Sequence, residues 1–117
     1  MKKIFIPLSG ITLVVNAADI ICLEGNRSFT HIYVQCLSEP KGWREIISGH
    51  TLGHFEALLP PRLFTRVSKK HVVGLNHVTG VEAGNIACLS CKCGSTVHIS
   101  KAYCTDLLAM VGQLEMA

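Results

Sequence analysis

Charged residues are scarce, at 16% of 117 positions, while 49% are hydrophobic. That balance excludes a charge-extended disordered chain and supports a packed core. No stretch is apolar enough to span a membrane, because Asn16, Asp19 and Glu24 punctuate the best one. Internal repeats, linkers and composition shifts are also lacking, so residues 1–117 read as one domain, long enough for a core of its own. Catalytic signatures are missing too. There is no glycine-rich phosphate loop and no nucleophile, base and orienting group at recognisable spacing. The six histidines (His31, His50, His54, His71, His77, His98) are dispersed. His50 and His54 share a helical spacing, but His50 precedes the expected helix. Neither an enzyme nor a cofactor is expected.

Six cysteines (Cys22, Cys36, Cys88, Cys91, Cys93, Cys104) are many for this length. An even number suits a disulfide framework in an exported protein. Their dispersion over strand-like segments favours the other reading, small buried apolar side chains, with Cys22 and Cys36 in neighbouring strands. Cys88, Cys91 and Cys93 with His98 invite a zinc site. On an extended strand, however, Cys88 and Cys91 point to opposite faces and do not converge without a sharp turn, so no metal is expected. The first eighteen residues imitate a signal peptide: Met1-Lys2-Lys3, an apolar middle, and small residues at Ala17-Ala18. Pro7-Leu8-Ser9-Gly10 breaks that middle and reads better as a hairpin turn. An exported, disulfide-stapled binding protein beginning near Asp19 stands as the alternative to a cytoplasmic one.

The remaining pattern is mostly β. Ile4–Ile6 and Ile11–Val15 flank the first turn, followed by strands over Ile20–Glu24, Phe29–Leu37 and Trp43–Ile47, with a turn expected at Gly25–Ser28. Ile32, Val34 and Cys36 alternate with Tyr33 and Gln35. Thr51 is a candidate cap for a short helix ended by Pro60-Pro61, with Leu52, Phe55, Leu58 and Leu59 facing the core. Short extended pieces follow over 64–67, 72–75 and 78–81, and a last hairpin over 86–90 and 96–99. Ser100 is placed to cap a second helix running to about Val111. Antiparallel sheets with two short helices, and no helix-turn-helix, are the expected architecture.

Net charge is only +3, so where the cations sit matters more than their sum. They gather in three polar turns: Asn26-Arg27-Ser28-Phe29-Thr30-His31, Arg66-Val67-Ser68-Lys69-Lys70-His71, and His98-Ile99-Ser100-Lys101. Glu24, Asp19, Glu39, Glu56 and Asp106 lie outside them. Each turn alone reads as an ordinary solvated surface. Three on one small β core suggest a surface for a polyanion. Lys101 at a helix start opposes the macrodipole, a mild conflict that an external anion would relieve.

Taken in order, four blocks resemble a LytTR-type bacterial DNA-binding domain over nearly the whole length. They are Asp19-Ile20-Ile21-Cys22-Leu23-Glu24 with Thr30-His31-Ile32-Tyr33-Val34, the Thr51-Leu52 helix ending at Leu58-Leu59-Pro60, Phe64 through Val78, and Val97-His98-Ile99-Ser100-Lys101-Ala102-Tyr103. The resemblance implies a β fold whose edge loops enter the grooves of duplex DNA. Carried over by position, it implies base contacts from Thr30, Lys69 and Lys101, flanked by Arg27, Ser28, Arg66, Ser68 and Lys70 mainly on phosphates. The family more often has Ser at position 70, Asn at 74, Asn at 28 and Arg at 101. Lys in place of Arg contacts guanine less rigidly, which puts the target sequence in question. Family members commonly carry a receiver domain, for which this chain has no room. The expected protein is a cytoplasmic transcriptional regulator, and two copies on repeated sites would raise occupancy through avidity.

Overall fold

The computed structural model describes residues 2–82, 85–88 and 96–98. Strands β1 (Lys3–Leu8) and β2 (Ile11–Asn16) form an antiparallel hairpin closed by Ser9 and Gly10. Gly10 takes φ +80°, a conformation that costs glycine little and that tight hairpin turns require. Period-2 alternation sends Ile4 and Ile6 into the core and leaves Phe5 outside. Pro7 lies within β1, opposite Thr12. A 3-10 turn over Ala17–Asp19 follows, and the buried Ala17 donates its amide to the Lys2 carbonyl at 2.9 Å. The stretch that imitates a signal peptide therefore supplies Ile4, Ile6 and Ala17 to the core, and cleavage near residue 18 would remove them.

The main sheet contains β3 (Ile20–Asn26), β4 (Phe29–Gln35), β5 (Trp43–Ser48), β6 (Phe64–Arg66) and β7 (His71–Gly74) in the order β5-β4-β3-β7-β6. Every neighbouring pair is antiparallel. A second sheet joins β8 (Val78–Glu82), β9 (Asn85–Cys88) and β10 (Thr96–His98), also antiparallel, in the order β10-β9-β8. Helix α1 (Leu52–Leu58) is capped by Thr51, whose hydroxyl accepts the His54 amide at 3.3 Å. Such a cap contributes about 0.5–2 kcal/mol.

The principal core lies between one face of the main sheet and a layer built from α1 and the β1–β2 hairpin. Ile20, Leu23, Ile32, Val34, Ile46, Phe64 and Val72 meet Leu52, Phe55, Leu59, Ile4 and Ile6 there. The other face of the sheet is buried as well, at Cys22, Tyr33 and Val73. Alternation along β4 therefore separates two covered faces rather than inside from outside.

Several expectations need correction. The first polar turn is shorter than Gly25–Ser28, because pairing continues to Asn26↔Phe29 and leaves two residues in the loop. Leu58 is exposed, facing away from the core stripe of Leu52, Phe55 and Leu59. Cys22 is buried as expected, whereas Cys36 lies past the end of β4, half-exposed, with its sulfur 3.2 Å from the Ser38 hydroxyl. Both carry thiols rather than disulfides. Only one α-helix occurs among the described residues, so they contain no helix-turn-helix. The expected helix capped by Ser100 lies outside the described residues, as do Cys91 and Cys93.

Gly74 explains one departure from the family pattern. Its backbone is ordinary for a strand (φ −84°, ψ 118°), so any residue could adopt it. A Cβ there would stand 2.5 Å from the Ile20 carbonyl oxygen and 3.1 Å from that of Ile21. Those carbonyls crowd in because β3 shifts register between Ile20 and Cys22. Gly74→Ala, and still more Gly74→Asn, should therefore destabilise the domain by about 1–3 kcal/mol, through overpacking rather than dihedral strain. Denaturant unfolding measures this, and wild-type stability in both variants would show that β3 and β7 separate freely.

Candidate nucleic-acid interface

The end of the main sheet where β3 stops and β4 begins carries the first polar turn. Arg27 takes φ +58°, the left-handed conformation that a two-residue hairpin requires and that a non-glycine residue seldom adopts. Arg27, Ser28 and Phe29 are exposed. Thr30 is not: it is fully buried, and its hydroxyl donates to the His50 carbonyl at 2.7 Å. The expected base contact from Thr30 is therefore replaced by a structural one, which ties the hairpin tip to the segment leading into α1. His50 in that segment and His54 in α1 stack with ring centroids 4.4 Å apart, both exposed.

The second polar turn connects β6 to β7. Three of its carbonyls, those of Ser68, Lys69 and Lys70, are held from inside. Arg66 donates Nε to the Ser68 carbonyl at 2.8 Å and Nη2 to that of Lys69 at 2.6 Å. The Lys70 carbonyl accepts the Gly25 amide at 2.7 Å. The Ser68 hydroxyl accepts the Lys70 amide at 3.2 Å and bonds His71 Nδ1 at 3.0 Å. With the backbone fixed inward, the side chains of Lys69 and Lys70 are left to solvent. Arg66 and Ser68, expected on phosphates, are engaged in shaping the turn. The planar guanidinium suits Arg66 to this, since it offers several donors in fixed directions.

The two turns meet. The bond from Gly25 to Lys70 joins them directly, two residues from Arg27. Next to it Glu24 pairs in register with His71, and Glu24 Oε2 lies 3.1 Å from His71 Nε2. A Cβ on Gly25 would sit 3.1 Å from Leu52 Cβ, so the same corner packs against the first turn of α1. Across the sheet His31 Nδ1 bonds Glu45 Oε2 at 3.0 Å. Ser68, His71 and Glu24 form a relay that sequence spacing did not disclose, Glu24 being 47 residues from His71. Because the Ser68 hydroxyl also accepts an amide of its own turn, the relay serves to fix that turn.

The charges sort cleanly. Arg66 is offset by Glu56, Nη1 to Oε1 at 2.9 Å. Among the described residues, Arg27, Lys69 and Lys70 form no salt bridge, and their charges face outward at one end of the sheet. Lys101, the third expected base contact, lies outside the described residues.

Residues 11–112 match the family described as the LytTr DNA-binding domain. The chain belongs to that family, a family of DNA-binding modules rather than of enzymes. In fold it is similar to a solved structure, the LytTr DNA-binding domain of a protein from Bacillus cereus described as a methyl-accepting/DNA response regulator. The two share 20% sequence identity with a TM-score of 0.70, covering 96% of this chain and 98% of the other. No curated protein matches the sequence significantly. No helix among the described residues is long and apolar enough to cross a membrane.

The inward clamp can be tested apart from DNA. Glu56→Gln should cost under about 1 kcal/mol, since its partly exposed ion pair is screened. Arg66→Met should cost more, because it also strips donors from two turn carbonyls, each bond contributing about 0.5–1.5 kcal/mol. Amide exchange at Gly25 and Lys70 should quicken in Arg66→Met and stay nearly unchanged in Glu56→Gln. Equal behaviour of the two variants would contradict the clamp.

Proposed function

We propose that this domain binds duplex DNA sequence-specifically, and regulates transcription, through the cationic end of its main sheet. The observation that carries this reading is the Gly25–Lys70 hydrogen bond, which fuses two cationic turns into one edge. Lys69, at the apex of the clamped turn, is placed to reach a base edge. Arg27, Ser28 and Lys70 flank it and are suited to phosphates. Lys101 supplies the third contact, by its match to the family's closing junction. Thr30, Arg66 and Ser68 act behind this surface by fixing its shape. Residues 1–117 act as one domain in the cytoplasm, where the DNA is, and two copies bind repeated sites without needing a large interface of their own.

Selection of bound duplexes from a random pool, followed by salt titration on the winner, tests the proposal. Affinity should fall steeply with salt, log K dropping about 0.9 per log unit for each neutralised phosphate. Lys70→Ala and Arg27→Ala should each flatten that slope by about one phosphate while leaving sequence preference intact. Lys69→Ala with Lys101→Ala should weaken binding and relax preference. A double variant with wild-type affinity would reject the assignment of the site.

A further inference from the structure

Phe29 is half-exposed (52%) at the very tip that carries Arg27 and Ser28. It opens β4 on the face that also carries His31, opposite to that of the buried Thr30. Ile47 pairs with His31 from the neighbouring strand and is equally exposed. An isolated exposed apolar side chain needs no explanation. Two of them on one face, beside the exposed Arg27 at the tip of the β3–β4 hairpin, form a surface with both charge and apolar character. Polar donors alone would suffice to hold phosphates. The apolar component needs an apolar feature on the same ligand.

We infer that Phe29 is a specificity-determining residue that packs against the C5-methyl group of a thymine in the major groove. The inference rests on the DNA-binding reading above and goes beyond it. The hairpin tip, with its end pair Asn26↔Phe29, projects past the pairing of β3 with β7 and of β4 with β5, and in the major groove thymine alone among the bases presents a methyl, which phenylalanine is among the side chains to contact. With the Thr30 hydroxyl committed to His50, the tip has four exposed side chains: Asn26, Arg27 and Ser28 are polar, and Phe29 is the one able to distinguish a methyl. Because the tip is joined to the Ser68–Lys70 turn through Gly25, docking the lysines brings Phe29 to the same groove wall. Ile47 sits farther back from the tip and borders the contact.

Uracil in place of thymine removes the methyl and keeps every hydrogen-bonding group, which makes the test specific. Each thymine of the selected duplex is replaced in turn by deoxyuridine, and affinities are measured for the wild type, Phe29→Ala and Phe29→Leu. At one thymine position the replacement should weaken wild-type binding about fourfold, the value of burying one methyl-sized group. The same replacement should have no effect on Phe29→Ala and an intermediate effect on Phe29→Leu. The salt slope of Phe29→Ala should equal that of the wild type, since no phosphate contact is lost. Equal uracil penalties in wild type and Phe29→Ala, or a selected site lacking thymine, would overturn the inference while leaving DNA binding intact. A Phe29→Ala variant that binds DNA normally but changes oligomeric mass would assign this face to self-association instead. Failure of the wild type to select any duplex would sink the DNA-binding reading and this inference with it.

Discussion

Three successive carbonyls, those of Ser68, Lys69 and Lys70, are hydrogen-bonded by groups behind them, and the shape of the basic edge depends on this. A free turn of that composition would sample many conformations, and ordering it on a ligand would cost conformational entropy at every encounter. Here the ordering is done by the fold. Arg66 is the central agent, and its positive charge is largely used up on Glu56 and the carbonyl dipoles. The side chain that builds the surface is thus distinct from those that give the surface its field.

The clamp works because the strands beneath it are held in register. β3 lies between β4 and β7, so it carries the first turn at its end while its Gly25 amide holds the second. The close passage of Gly74 under the shifted backbone at Ile20 and Ile21 allows β7 to approach that nearly. Burial on both faces of the sheet resists any slip, since a one-residue shift would carry Tyr33 and Ile32 to each other's environment. Rigidity at the strands becomes precision at the turns.

Local features of this arrangement were legible in the residues themselves. The Ser9-Gly10 turn, the Thr51 cap, the Pro60 stop and the alternation of Ile4 and Ile6 each follow from neighbours in sequence. So did the grouping of cations into turns, and the ordered blocks that resemble the family. Features that depend on partners distant in sequence were not. Alternation assigns Thr30 and Phe29 to opposite faces but does not say which is solvated, and the burial of Thr30 follows from the His50 carbonyl twenty residues away. Leu58 fits the helical stripe yet falls beyond the sheet it was expected to meet. Arg66 and Ser68 look like any polar surface pair until Glu56, His71 and Glu24 are brought beside them. A wide chemical clue did exist for Gly74, a glycine where relatives favour asparagine, but its cause is a pair of carbonyls more than fifty positions earlier in the chain.

Pro7 carries a further consequence. Leu8 and Ile11 flank the two-residue turn and exchange hydrogen bonds, so the next pair, Pro7 and Thr12, is a non-bonded one with the nitrogen of residue 7 turned away from β2. At that place an ordinary residue would offer a donor to any passing strand, and proline has none. The outer border of the hairpin is thereby a poor template for extending the sheet into a second molecule. Copies of the domain that meet at this border can touch through side chains and part again, without being drawn into a shared ladder that would grow toward aggregation.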